Sequence, residues 1–196
     1  MKMVLPRFTY QISNYVFEIW DHKPKINGLK SVIQVHGNKV IESSKLDSTI
    51  EADGITSYNK DPLVIKTADC LPVGFISEYG TALIHAGWKG LKNNILLDEQ
   101  IKSLNPDKIF IGPHIRVKNY EVSLEFTKNF PKSNNLKEIE GRIFFNMTKE
   151  AIEQLKETYP LADIIDCGLD TFDDERFYSY RNGDLELRNW NVLRKI

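Results

Sequence analysis

Cysteine is scarce: two occur in 196 residues, Cys70 and Cys167. That excludes a framework stapled by several disulfides and suits a reduced compartment. No apolar run approaches the roughly 18 residues that cross a bilayer. The opening stretch MKMVLPRFTYQISNYVF lacks an apolar block followed by a small-residue cleavage site. Neither a membrane partner nor a signal peptide is therefore expected, and the expected location is the cytoplasm. Neither sign of charge dominates, with 26 Lys+Arg against 27 Asp+Glu and a formal charge of −1. The basic surplus of a nucleic-acid binder is missing, and so is an acidic tail. Repeats, low-complexity blocks and Gly/Ser/Pro-rich linkers are absent as well. With 41% hydrophobic and 27% charged residues the composition is ordinary globular usage, and a single domain over 1–196 is expected.

What is present alternates. Short runs rich in Val, Ile and Phe predict strands at Tyr15–Trp20, Ser31–Val35, Leu63–Thr67, Val73–Ser77, Thr81–His85, Lys108–Gly112 and Arg142–Phe145. Further extended chain is expected near Ile164 and Phe177, and SEYGT reads as a tight hairpin connection. Leu97, Ile101 and Leu104 predict a helix after Gly90, stopped by Asn105-Pro106. Ile152, Leu155 and Tyr159 predict another, with Asn146 as N-cap and Pro160 as its end. A weaker helix is expected over Val122–Phe130. Several connections between strands are too short for a helical crossover. The fold class expected is α/β: a single-domain mixed sheet with packed helices, and not a doubly wound parallel sheet.

The chemistry concentrates where strands end. His36 in QVHGNKV, Cys70 in LVIKTADC and His85 in TALIHAGWKG each stand at a junction of strand and loop, where open α/β sheets gather ligands. Two imidazoles and a thiolate make a first shell for zinc, with a fourth position left open. The spacings, 34 positions and then 15, are not those of a zinc finger. Cys70 with His85 reads equally as nucleophile and base, with Asp69 or Asp53 orienting the imidazole. The plain alternative is a buried apolar thiol beside ordinary strand-end histidines.

Other residues carry two readings each. Asp53 in EADGIT is a turn aspartate or a site residue. His114, after Gly112-Pro113, is expected on a loop near a sheet end, solvated or capping. His22 in DHKPK is expected on the surface. Arg181 and Arg188 are solvated loop arginines or a phosphate clamp. Trp88 stacks on a planar ring or packs on the sheet edge.

Taken in order, QVHG, ADG, TADCLPV, HAGWKG, GPHI, YEV and FYSYRNGD resemble the laccase-domain family. It is also called the YfiH-like or peptidoglycan editing factor family. First labelled polyphenol oxidase, it is now associated with purine nucleoside phosphorylase and adenosine deaminase activity. The resemblance runs from about Ser31 to the C-terminus. It implies a metal site of His36, Cys70 and His85, and an α/β sandwich similar to that of cysteine-dependent deamidating toxins. Lys89 stands where the family commonly has arginine, Asn182 replaces the second arginine of the end pattern, and His114 is unusual within GPHI.

Two functions compete at this point. The first is a zinc enzyme, with copper as the alternative metal, acting on a small-molecule nucleoside and phosphate. It would cleave adenosine or inosine by phosphorolysis and deaminate adenosine, with Asp53, Lys89, His114, Arg181 and Arg188 as substrate or phosphate contacts. Cys70, His85 and Asp69 are its candidate catalytic residues. The second is a Cys–His amidase acting on peptidoglycan precursor peptides, with Cys70 as nucleophile. A metal-stabilised binding module without turnover is a third class, and the oligomeric state is open.

Overall fold

The computed structural model describes residues 5–196; the first four residues of the expected 1–196 unit lie outside that range. Two sheets are stacked. The first is antiparallel throughout, in the order β1 (Phe8–Ile12), β2 (Tyr15–Trp20), β13 (Asn189–Lys195), β5 (Leu63–Thr67). The second has six strands, in the order β12 (Asp163–Asp166), β8 (Lys108–Ile111), β6 (Leu71–Ile76), β7 (Thr81–Ala86), β4 (Gly54–Ser57), β3 (Val40–Glu42). Its edge strands β12 and β3 pair in parallel and the others antiparallel, so the sheet is mixed. A small third sheet joins β10 (Leu136–Ile139), β11 (Arg142–Phe145) and β9 (Glu121–Val122). This is the single-domain α/β architecture with mixed sheets that the sequence predicts.

Strand alternation builds two cores. Phe17, Ile19, Ile65, Leu83, Phe110 and Leu193 fill the space between the stacked sheets. Val73, Phe75, Ala82, Ile84, Ile109 and Ile111 face the other way, onto Leu96, Ile101, Ala151, Leu155 and Phe145. A layer of helices therefore covers the outer face of the six-stranded sheet. Its long member is α4 (Met147–Thr158), capped by Asn146 Oδ1 on the Lys149 amide at 2.9 Å. That cap and the end of the helix before Pro160 agree with the sequence reading.

Three expectations are corrected. Ser31–Val35 is not a strand; within it only Ile33 makes an isolated bridge, to Glu51, with Lys30 just ahead bridging Leu63. The Gln34 side chain takes the main-chain bonds of Lys66 that a paired strand would have taken, each at 2.7 Å. The helix after Gly90 is broken into α1 (Trp88–Lys92), a 3-10 turn (Ile95–Leu97) and α2 (Glu99–Lys102). Asn94 turns left-handed, φ 57°, and Asp98 starts α2 by accepting from the Gln100 amide at 2.8 Å. The apolar spacing still serves packing, since Ile101 and Leu104 are wholly buried. Near Phe177 the chain turns and forms no strand. The weak helix is the short α3 (Leu124–Thr127), capped by Ser123.

Candidate functional site

Strand register brings distant residues together. In the six-stranded sheet Gly54 pairs with Ile84, so the next pair along is Asp53 with His85. The His85 amide donates to the Asp53 carbonyl at 2.7 Å, and cross-strand neighbours share a face. On that face Asp53 Oδ1 lies 2.7 Å from His85 Nδ1. On the other edge of β7, Leu71 pairs with Ala86, which sets Cys70 beside Gly87. A Cβ at Gly87 would lie 3.2 Å from Cys70 Sγ and 4.0 Å from His85 Nε2. With φ at −76°, Gly87 is needed here for its lack of a side chain and not for backbone freedom.

His36 arrives on the loop ahead of β3, in the left-handed region at φ 59°. Asp53 holds that loop too. Its carboxylate accepts from the amides of Val35 at 3.3 Å, His36 at 3.0 Å and Gly37 at 2.6 Å. One buried carboxylate therefore positions both histidines. The donor atoms of His36, Cys70 and His85 all lie within 4.8 Å of one another. Exposure is graded: His36 is exposed, Cys70 half-buried and His85 buried.

The charges agree with this arrangement. Burial opposes ionisation of Asp53, yet the bonds from His85 and the Gly37 and His36 amides hold it below the usual carboxylate range. Burial also opposes the Cys70 thiolate, but the charge of His85 and hydrogen bonds from His36 and His85 bring it down to about 6. His85, against its own burial, is raised to about 9 by the Cys70 thiolate and Asp53. Together these describe an imidazolium–thiolate pair in the protein without metal. The residues also fit a metal ion. Two nitrogens and a sulfur converge, a carboxylate fixes His85 through Nδ1 and leaves Nε2 for a ligand, and Gly87 keeps the space between them clear.

The three donors lie in a cleft of about 560 Å³, also lined by Lys66, Trp88, Tyr120, Tyr180, Arg181 and Arg188. Among the described residues none of the three cations has a carboxylate partner within ion-pair distance. Arg181 stacks over the Tyr120 ring at 5.1 Å and donates to the Glu121 carbonyl at 2.9 Å. Arg188 ties down the carbonyls of Leu185 and Leu187, at 2.9 and 2.6 Å. Burial pushes the Tyr120 phenol well above its ordinary value, so it keeps its proton.

Asp53, Lys89 and His114 do not line the cleft. Asp53 is wholly buried beneath the donors, where it positions them and does not reach the cleft. Asp69 lines the cleft but spends its carboxylate on Thr171 Oγ1 at 2.7 Å and the Arg181 amide at 2.8 Å. It therefore ties loops together and leaves the orientation of His85 to Asp53. Lys89 is exposed outside the cleft lining, 5.7 Å from the Trp88 ring. His114 is wholly buried, not a solvated loop residue. Its Nδ1 bonds the Gly112 carbonyl at 2.8 Å and its Nε2 bonds Thr148 Oγ1 at 2.6 Å. Burial, with the Arg116 charge, pushes its pKa down to about 3. Both ring nitrogens are engaged, so it offers nothing to a substrate. His22 is on the surface beside Asp21, as expected.

The sequence reading missed Gln34, Lys66, Tyr120 and Tyr180. A signal existed for each. Gln34 opens QVHG, Tyr120 opens YEV, Tyr180 stands inside FYSYRNGD, and Lys66 is the one charge in the apolar run LVIKT.

Comparison with known proteins follows the same residues. Residues 18–187 match the family described as multi-copper polyphenol oxidoreductase laccase. A Campylobacter jejuni protein named purine nucleoside phosphorylase is 36% identical over 177 residues, covering 82% of this chain and 74% of its own. An Aquifex aeolicus protein of the same name is 37% identical over 131 residues. That match spans 64% of this chain and 63%, less than two thirds, of the Aquifex protein. A solved Neisseria meningitidis structure of the DUF152 family superposes with a TM-score of 0.83, covering 96% of this chain and 98% of its own. At 18% identity that last likeness is one of fold. Motif order, fold and matched length agree: the chain belongs to the laccase-domain, YfiH-like family.

Proposed function

We propose that this chain is a purine nucleoside phosphorylase dependent on a metal held by His36, Cys70 and His85. The observation that carries the reading is that this donor set and three cations without carboxylate partners open onto one cleft. Relatives bearing that activity in their names support it. A zinc ion held by these three residues would supply Lewis acidity. Lys66, Arg181 and Arg188 hold the phosphate, the guanidinium forks suiting its oxygens. Trp88 offers a ring face to the purine. Asp53 keeps both histidines in place while the substrate changes. Deamination of adenosine in the same cleft is the second activity of this reading, and zinc its metal in preference to copper. A multicopper oxidase needs a mononuclear copper and a trinuclear cluster. With His22 on the surface and His114 bonded through both nitrogens, one three-donor set is all the described residues offer.

The test is chromatography of inosine and adenosine incubated with zinc-loaded protein. Phosphate-dependent release of hypoxanthine or adenine is expected, and inosine from adenosine for the deaminase step. No product from folded, metal-loaded protein overturns the reading. One observation favours a second reading, the Cys–His hydrolase: the chain Asp53–His85–Cys70 has the order of a catalytic triad, with the thiol lowered to about 6. Amide hydrolysis by metal-free protein, abolished by thiol alkylation, would establish it.

A further inference from the structure

Tyr120 is a neutral hydrogen-bond donor among the cations of the cleft. It is 9% exposed and borders both the cleft and an adjoining hollow that shares Trp88 and Arg181. Everything around it fixes its position. Its carbonyl accepts from the Phe145 amide at 3.1 Å. Its ring packs 6.1 Å from Phe145 and 6.3 Å from Phe126, with the Arg181 guanidinium 5.1 Å above. Its hydroxyl, however, bonds to no described residue. The ring is held while the hydroxyl stays accessible at the cleft, and a fixed donor facing a cleft is what developing negative charge requires.

Resting on the phosphorylase reading, we propose that Tyr120 touches the substrate, its hydroxyl donating a hydrogen bond to the purine ring nitrogen that gains charge as the glycosidic bond breaks. A phosphate oxygen forms the new bond to C1′. The C1′–N9 electron pair departs with the purine, and the proton that hydrogen phosphate brought reaches the purine through solvent. The cations hold the phosphate, and the uncharged phenol serves the departing purine.

The experiment compares Tyr120→Phe with wild type on two substrates, inosine and 7-methylinosine. Methylation at N7 makes the leaving purine neutral, so it needs no donor. Loss of one such donor should lower kcat on inosine by about a hundredfold, while 7-methylinosine stays within about threefold. The ratio of the two does not depend on how much variant is folded. Equal losses on both substrates would make Tyr120 a packing residue, and no loss on either would remove it from the reaction. Wild type that cleaves neither substrate overturns the phosphorylase reading and this inference with it; wild-type turnover with equal losses overturns the inference alone.

Discussion

His85 and His114 are buried to nearly the same degree, 2% and 0% exposed, and each is engaged on both sides of its ring. One is raised to about 9 and the other lowered to about 3. Burial disfavours the charged ring in both; the partners decide the difference. His85 faces a carboxylate and a thiolate, and His114 a carbonyl, a hydroxyl and a nearby guanidinium. The surroundings differ as well. Beside His85, Gly87 leaves room for an ion, whereas Thr148 closes the free side of His114. The first environment suits a ligand. The second locks a loop, joining the Gly112 carbonyl to the first turn of α4.

The contrast can be broken most directly at Asp53. Asp53→Asn keeps the shape and removes the charge beneath His85, and zinc affinity should fall about 10–100-fold. Competition with a chromophoric chelator reads this, and an unchanged affinity would dissolve the distinction between the two histidines. The cysteines give the next effect, with Cys70 lowered to about 6 and Cys167 raised by burial to about 11. In metal-free protein at pH 7, iodoacetamide should modify Cys70 on the order of fiftyfold faster, a thiolate advantage partly offset by lower intrinsic nucleophilicity. Peptide mass spectrometry compares the two rates; equal rates would mean that His85 does not support a thiolate.

Gly87→Ala tests the space. A Cβ 3.2 Å from Cys70 Sγ should weaken zinc binding by about tenfold through overpacking. The metal-free melting temperature should fall less than that of the zinc form, because φ at 87 suits alanine and the Cys70 side chain can give way when no ion holds it. Equal destabilisation with and without zinc would show that the glycine serves the fold alone.

The smallest effect is expected at His114. Its folded pKa lies below its unfolded value, so between about pH 6.5 and 3 the unfolded chain holds the extra proton. Stability from this group is therefore complete above about pH 6.5 and declines as pH falls, by at most about 1.4 kcal/mol per pH unit. Urea unfolding of His114→Gln should show a shallower acid decline than wild type; parallel declines would refute the assignment.

Much of the site was legible along the chain. Cys70 and His85 stand at strand ends as the sequence suggests, and a thiol beside two histidines has few structural uses. The hairpin between β6 and β7 was legible because SEYGT is a turn between two apolar runs. The role of Asp53 was legible only as one of two choices, since Asp69 was an equal candidate to orient His85. A turn aspartate and a buried carboxylate under two histidines look alike until the pairing of Gly54 with Ile84 is known. His114 was rightly placed on a loop but read as solvated or capping, because Thr148, its partner, lies 34 positions away. The break after Gly90 was missed because the apolar spacing of Ile101 and Leu104 survives even though the helix does not.

By itself the sequence determined the strand and helix segments with strong alternation, the family and the three candidate donors. These follow from side-chain chemistry and short-range pattern. Tertiary structure alone decided which carboxylate serves them, which cations line the cleft and which histidine is sealed away. Such pairings depend on strand register and on contacts between residues far apart in the chain, and no local pattern encodes them.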